Sequence, residues 1–183
     1  MSGVDVEKDR VDLLLESWAG RPEIDLSPIG ITRRIYRLAR HIEHTISDEF
    51  RPFDLDWSDL LILEALERSG PDGRVTPTEL SEELMMTSGG MTARLSRLQR
   101  ARLIERHADP TDRRVLYVGF TPKGKELVER LLPVYAQVKR RCLEHLDEET
   151  ISSLEGGLRS LLLGFERGPS SEREEIWGPE ATE

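Results

Sequence analysis

Residues 76–124 carry the pattern that most limits what this chain can fold into. The segment reads TPTELSEELMMTSGGMTARLSRLQRARLIERHADPTDRRVLYVGFTPKG. Two short helix patterns come first, and two β-rich runs, residues 104–108 and 115–120, then flank a turn rich in Asp and Arg. This order predicts a helix-turn-helix followed by a β wing, in which one helix enters a DNA groove and a basic hairpin lies beside it.

Capping residues mark the ends of the two short helices. Thr76 and Glu79 form a capping-box pattern at the start of the first helix, which should run to Leu84. Thr87 or Ser88 is placed to cap the second helix, whose inward-facing positions are Met91, Leu95 and Leu98.

Apolar residues at three- and four-residue spacing predict further helices on both sides of this segment. The predicted helices before the segment cover residues 4–19, 27–53 with Ser27 as N-cap, and 57–68. After it, one predicted helix starts at Pro122 with an apolar stripe through Cys142 to Leu146, and a last one is capped by Asp147. Pro133 should bend the long helix that starts at Pro122. The fold class predicted is therefore all-α with a small β wing.

The net charge of −9 is unusual for a protein that binds DNA, but the charge is unevenly distributed. Residues 88–114 contain seven arginines and three acids, whereas residues 144–183 contain eleven acids and three arginines. A local basic face is what contact with phosphate requires, and an acidic remainder can orient that face and limit non-specific binding.

Several classes of protein are disfavoured by the residues present. No apolar run approaches the ~20 residues that a membrane-spanning helix needs, and the charged N-terminus does not resemble a secretory signal, so we expect a cytoplasmic protein. The single Cys142 rules out an intramolecular disulfide framework, and no Cys/His cluster has the spacing of a zinc site. Without a catalytic or phosphate-loop motif, we expect no enzyme activity, metal or cofactor.

The first turns of the second helix are the part of a helix-turn-helix that approaches base edges. The residues expected to contact DNA there are Ser88, Gly89, Gly90, Thr92, Arg94, Ser96 and Arg97. Arg94 and Arg97 could reach either a guanine edge or a phosphate. In the wing, Arg113 and Arg114 have two interpretations, pairing with Asp109 or Asp112 to stiffen the turn, or projecting into the minor groove.

Two consecutive glycines at the start of this helix need an explanation, because each costs roughly 1 kcal/mol relative to Ala in a helix. Gly89 and Gly90 could permit tight packing on the preceding helix. They could equally allow backbone N–H groups to approach a phosphate closely. The sequence favours neither interpretation.

The helices that flank the wing region have longer apolar stripes than a small winged-helix core requires, which predicts a homodimer. We divide the chain into an N-terminal extension helix and linker, residues 1–26, a winged helix-turn-helix DNA-binding and dimerisation domain, residues 27–166, and a polar acidic tail, residues 167–183.

With the helix-turn-helix, the LIER strand, the DPTDRR wing and the TPKG helix start in view, residues 27–166 resemble the MarR family of bacterial regulators. The resemblance implies a winged helix-turn-helix in each subunit of a homodimer that binds palindromic double-stranded DNA operators. It also implies that the protein is usually a repressor, released from the operator by a small molecule.

The leading segment ESWAGRPEIDLSPIGITRRIYRLAR resembles the urate-responsive subgroup of that family, which has an additional N-terminal helix. In that subgroup the ligand is bound by a Trp, an Asp and two Arg, and Trp18, Arg94 and Arg106 match three of these positions. Leu61 stands where the Asp is expected, and Asp59 lies two residues away. The resemblance therefore implies a small organic anion as effector, a carboxylate more readily than urate.

Three alternatives remain open for the function. Trp18 could be only a packing anchor, in a DNA-binding regulator of this fold that has no small-molecule ligand. Cys142 could make the protein a redox-responsive regulator, although its place on an apolar stripe favours a buried packing role. A convergent cleft of titratable groups would instead indicate an enzyme, and the sequence contains no sign of one.

Overall fold

A computed structural model of the chain describes residues 7–70, 75–109, 111–112 and 114–167. It is mostly helical, with one small antiparallel sheet of two strands among these residues. The chain divides into two compact units, residues 1–140 and 141–183. The first unit contains the helix-turn-helix and the wing.

The helices and strands follow the order that the sequence predicts. They are α1 (Arg10–Trp18), α2 (Leu26–Phe50), a 3-10 helix (Arg51–Phe53), α3 (Trp57–Arg68), α4 (Pro77–Glu83), α5 (Ser88–Arg100), β1 (Ile104–Ala108), β2 (Leu116–Phe120), α6 (Pro122–Arg141) and α7 (Glu148–Arg167).

The capping predictions for α4, α5 and α7 are confirmed. Thr76 and Glu79 form a reciprocal capping box at the start of α4. The side chain of Thr87 accepts a hydrogen bond from the Gly90 N–H, so Thr87 is the N-cap of α5. At the start of α7, Asp147 accepts a hydrogen bond from the Thr150 N–H. Each cap satisfies an N–H group that has no partner within its helix.

Three predicted helix boundaries are wrong. The leading helix begins at Arg10 because Asp9 forms a capping box there, and the predicted residues 4–6 lie outside the described part. Asp25, in place of Ser27, is the N-cap of α2 and accepts from the Ser27 N–H. The long helix α6 ends at Arg141, so Cys142 falls in the following turn and is not part of a helical stripe.

The hydrophobic core lies under the helix-turn-helix. The inward positions of α5, namely Met91, Leu95 and Leu98, are at most 1% exposed. They belong to one buried cluster with residues of α2, α3, α4, the wing and α6, including Phe50, Ile62, Leu66, Leu80, Ile104, Val118 and Tyr135. Because α5 is packed on the core along its whole length, its opposite face is held in a fixed orientation.

The wing is joined to this core at both ends. Strands β1 and β2 pair antiparallel, with Ile104 opposite Phe120 and Ala108 opposite Leu116, and Val75 bridges to Val118 on the other side of β2. Where α6 begins, its backbone passes so close to β1 that a Cβ on Gly124 would lie 1.8 Å from the carbonyl oxygen of Leu103. This close approach explains the glycine of the TPKG segment.

The second unit contains α7, which has the amphipathic pattern that the sequence predicts. None of the residues of α7 is buried. Its apolar face carries Leu154, Leu158, Leu161, Leu162 and Phe165, which are between 39% and 78% exposed.

Candidate nucleic-acid interface

The two helices of the helix-turn-helix are joined by a tight turn. Met85 in this turn has a backbone φ of 51°, in the left-handed region, and its side chain is 92% exposed. Leu80 on α4 is fully buried, as is Leu95 on α5, so the core fixes both helices. The turn therefore presents the N-terminal end of α5 to solvent.

The face of α5 opposite its buried residues is small and polar. Ser88, Gly89, Gly90 and Thr92 are exposed, and Ser96 is half-buried. These are the positions that the sequence assigns to base contact. Small side chains on a well-anchored helix leave room for the helix to enter a groove whose width is about that of a helix.

Arg100 lies on the same exposed face, and the sequence interpretation did not select it. Its side chain is exposed, and its Nε donates a hydrogen bond to the carbonyl oxygen of Ser96 at 3.3 Å. Helical spacing could have identified it, because residues four apart share a face and Ser96 was already selected. Arg100 therefore adds an exposed cation to the face of α5 that the sequence assigns to DNA.

The two glycines show little sign of a packing role. A Cβ on Gly89 would meet no atom within 4 Å, and a Cβ on Gly90 would meet only the Thr87 hydroxyl oxygen at 3.1 Å. Neither glycine therefore brings α5 closer to α4. Of the two interpretations of Gly89, close approach of a ligand to the backbone is therefore the better one.

Arg94 and Arg97 are bound by carboxylates and are not free on the exposed surface of α5. Their guanidinium groups turn towards the N-terminal end of α3, where they meet three carboxylates. Arg94 Nη1 donates to Asp56 and lies 3.4 Å from Asp59 Oδ1. Arg97 Nη1 donates to Asp59 and lies 3.4 Å from Asp56 Oδ2. We call Asp54, Asp56, Asp59, Arg94 and Arg97 the Asp–Arg cluster.

The carboxylates of the Asp–Arg cluster are held by the start of α3 itself. Asp56 is the N-cap of this helix, and Asp59 completes its capping box by accepting from the Asp56 N–H at 3.2 Å. Asp54 lies just outside the helix with a φ of 56°, and its carboxylate is 3.2 Å from Arg97 Nη2. The D-x-x-D pattern at residues 56–59 was the sequence signal for this arrangement, and the sequence interpretation missed it.

The environments of these carboxyl groups differ. Asp59 is fully buried, and burial raises its pKa above the ordinary value. For Asp56, burial acts in the same direction, but hydrogen bonds from Arg94 and from the Asp59 N–H outweigh it and lower the pKa. Asp56 therefore stays charged at neutral pH beside both guanidinium groups.

In the wing, Asp109 stiffens the turn by binding backbone. Its Oδ1 accepts hydrogen bonds from the N–H groups of Thr111 at 2.7 Å and Asp112 at 2.9 Å. The Arg114 N–H donates to Asp112 Oδ1 at 2.9 Å, and Arg114 itself is exposed. Arg113, also predicted to contact DNA, lies outside the described residues.

Among the described residues, no contact brings together the side chains expected to bind a ligand. Arg106, on β1, is half-buried, and its Nε is buried without a hydrogen-bond partner. Trp18 is 38% exposed at the end of α1, which packs on α2 through Val11 and through Arg34 bound to Asp9 and Asp12. Across the described ranges, no hydrogen bond or ring contact links Trp18 to Arg94 or Arg106.

Leu61, which stands where the urate-responsive proteins have an Asp, is half-buried. An acidic acceptor nevertheless lies beside Arg94. It is Asp59, two residues before Leu61, whose Oδ1 is 3.4 Å from Arg94 Nη1. Within the part of the chain that the structure describes, no group of three or more His, Cys, Asp or Glu is placed to hold a metal ion. No helix in that part is long and apolar enough to cross a membrane.

Comparison with known proteins adds to this geometry. Residues 53–115 match the family model MarR_2, described as MarR family. The HTH-type transcriptional regulator PecS of Dickeya dadantii (strain 3937) is 26% identical over 137 residues, which cover 74% of this chain and 82% of that protein.

Two solved structures share the fold. A crystal structure of mutant MarR from E. coli complexed with operator DNA has a TM-score of 0.67 and 22% identity, covering 75% of this chain and 96% of that one. A structure of Bordetella bronchiseptica BpsR, whose DNA binding is regulated by 6-hydroxynicotinic acid, has a TM-score of 0.64 and 20% identity, covering 72% and 91%.

These relatives and structural neighbours are transcription regulators, in agreement with the expectation that the protein is not an enzyme. The family match covers the segment that contains α3, the helix-turn-helix and β1. The chain is therefore similar to MarR-family transcriptional regulators over residues 53–115 and shares the winged-helix fold of solved MarR structures over about three quarters of its length.

Proposed function

We propose that the protein is a repressor that binds a palindromic operator as a homodimer and is released by a small organic anion. The observation that carries the proposal is the division of α5 into two faces. Met91, Leu95 and Leu98 anchor one face in the core, and the opposite face is small, polar and exposed. A helix held in this way can enter a major groove without rearranging its own domain.

We assign the proposed contacts with DNA to the side chains of α5 and the wing that are open to solvent. Ser88, Thr92 and Ser96 are placed to meet base edges, and the backbone at Gly89 and Gly90 to approach a phosphate. Arg100 and the wing residues Arg113 and Arg114 would contact phosphate or the minor groove. Arg94 and Arg97 would reach DNA only after exchanging their carboxylate partners, so we assign them first to orienting α5.

The proposed dimer rests on the apolar residues that the single chain leaves uncovered. Along α7, Leu158 is 45% exposed, Leu162 55% and Phe165 78%. On α2, Ile31 and Leu38 are each 53% exposed. A second copy of the chain would cover such faces on both molecules at once, because a two-fold interface uses the same surface twice.

The proposed effector site centres on Arg106. Its buried Nε has no hydrogen-bond partner, and leaving a buried donor unsatisfied costs about 1–3 kcal/mol. An anion that accepts from Arg106 would remove that cost. Arg94 is less available because Asp56 and Asp59 already bind it. The regulator of BpsR, 6-hydroxynicotinic acid, is an aromatic acid, which supports testing aromatic carboxylates here.

A gel-shift titration with DNA that flanks the protein's own gene tests the proposal. We expect a specific complex that is lost on addition of an aromatic or aliphatic carboxylate. Arg106→Ala should keep the complex and lose the response to the anion. Unchanged release in a Trp18→Ala, Arg106→Ala variant would place the effector site elsewhere, and failure to bind any DNA would contradict the function itself. Urate acting at a lower concentration than every carboxylate would reverse our preference for carboxylates.

A further inference from the structure

The Asp–Arg cluster contains two kinds of carboxylate. The side chain of Asp59 is fully buried, whereas the side chains of Asp56 and Asp54 are 36% and 93% exposed. The arginines that these carboxylates bind are partly exposed. The side chain of Arg94 is 33% exposed and that of Arg97 is 32% exposed. The buried carboxylate of Asp59 holds both arginines, Asp56 is half-buried beside them, and Asp54 faces solvent.

We infer that Asp54 and Asp56 act as specificity-determining groups that limit non-specific DNA binding by competing with phosphate for Arg94 and Arg97. This inference rests on the proposed DNA-binding function. It assigns the two aspartates a negative effect on affinity, whereas a purely structural role would make their loss weaken DNA binding.

The strength of the ion pairs permits such competition. An exposed ion pair contributes only about 0–1 kcal/mol, so a DNA phosphate can displace Asp54. Asp56 is half-buried but still open to solvent on one side, so a phosphate can also reach its arginine partners. Asp59 has no access to solvent, and removing its partners would leave a buried charge uncompensated. Arg97 is therefore expected to remain bound to Asp59 while its contacts with Asp54 and Asp56 exchange.

The competition should affect random DNA more than the operator. Non-specific binding depends almost entirely on phosphate contacts, so each arginine that a carboxylate occupies is unavailable to the phosphates of random DNA. On the operator, base contacts from the small polar face of α5 hold the helix in register while the arginines keep their carboxylates. The aspartates thereby increase the ratio of specific to non-specific affinity.

Asp→Asn substitutions test this inference without removing the structural roles of the residues. Asn caps a helix as well as Asp does, so Asp56→Asn keeps the N-cap of α3. Asn also tolerates a positive φ, so Asp54→Asn suits the backbone at φ 56°. The matched control is Asp25→Asn, which removes the same charge from the N-cap of α2, away from the Asp–Arg cluster.

Binding would be measured by fluorescence anisotropy on two duplexes of equal length, one selected for tight binding and one of mixed sequence, over a range of salt concentrations. We expect Asp54→Asn and Asp56→Asn each to tighten binding to the mixed duplex about threefold to tenfold. The salt slope should steepen by about one for each arginine that is freed. Affinity for the selected duplex should change less, so the specificity ratio should fall.

A second set of variants shows whether the gain acts through the arginines. Adding Arg94→Ala, which leaves Asp59 paired with Arg97, should abolish most of the gain from Asp56→Asn. If Asp54→Asn and Asp56→Asn behave like Asp25→Asn, or if they weaken binding to both duplexes, the inference is overturned. If the wild-type protein binds neither duplex, the proposed function fails instead, which separates the two failures. Asp54→Asn keeps the test informative even if Asp56→Asn does not fold.

Discussion

Helices α5 and α7 have similar amphipathic patterns but different environments. On α5, Met91, Leu95 and Leu98 are at most 1% exposed, whereas Leu154, Leu158, Leu161, Leu162 and Phe165 on α7 are 39–78% exposed. The pattern alone cannot distinguish a helix whose partner is in the same chain from a helix whose partner is elsewhere. The difference teaches that α5 takes its orientation from its own domain, whereas the apolar face of α7 stays exposed and in the proposed dimer would be covered by a second molecule.

The largest effect is expected when a charge is placed in the uncovered face of α7. Leu158→Asp would put a carboxylate into the proposed dimer interface, where an unpaired charge costs several kcal/mol. We expect light scattering to show a monomer and gel shifts to show no complex, while circular dichroism retains most of the helical signal. A dimer that persists in this variant would mean that α7 is not the interface.

The contrasting change is made in the buried face of α5. Leu95 is fully buried, and Leu→Ala at such a site costs about 2–5 kcal/mol. We expect the loss to appear in urea unfolding independently of protein concentration. The matched variant Leu158→Ala should lower stability only through the dimer, so its effect should be absent at concentrations where both proteins are monomeric and should grow as the dimer forms. Equal concentration dependence for the two variants would remove the distinction between the helices.

Glycines in the two regions should respond to Ala with opposite signs. A Cβ at Gly124 meets the Leu103 carbonyl oxygen at 1.8 Å, so the backbone of α6 must shift. We expect Gly124→Ala to cost about 3 kcal/mol, as overpacking does. A Cβ at Gly156 in α7 meets nothing within 4 Å, and Gly156→Ala should stabilise by up to about 1 kcal/mol. Thermal unfolding of both variants would check the signs.

The smallest stability effect is expected on the exposed face of α5. Gly89→Ala fills open space and should stabilise α5 by up to about 1 kcal/mol. If the backbone there approaches phosphate, the same change should weaken DNA binding about tenfold, or ~1.4 kcal/mol. Gly156→Ala is the control, with the gain in stability and no change in affinity. Undiminished binding by Gly89→Ala would show that Gly89 does not approach DNA.

Most of the fold could be predicted from local signals. The capping box at Thr76 and Glu79, the spacing of Met91, Leu95 and Leu98, and the two β-rich runs each gave the observed element. One error occurred where two capping residues competed for one helix start, as with Asp25 and Ser27. There both candidates were polar and two residues apart, so periodicity could not choose between them.

The site was less predictable because it depends on contacts between distant segments. Arg97 and Asp59 are 38 residues apart, and no local pattern indicates that they meet. Sequence reasoning therefore treated Arg94 and Arg97 as free groups, whereas the fold gives them carboxylate partners. The sequence also could not show whether Trp18 and Arg106 lie close together, because only tertiary or dimer contacts could bring them together.

Selection of binding sequences from a random duplex library tests the central claim most directly. A two-fold dimer with one recognition helix per subunit should enrich an inverted repeat with half-site centres about 10 bp apart. Enrichment should be lost in Leu158→Asp, which retains α5 but not the dimer. Failure to enrich any sequence, or enrichment of a single element without two-fold symmetry, would contradict the account.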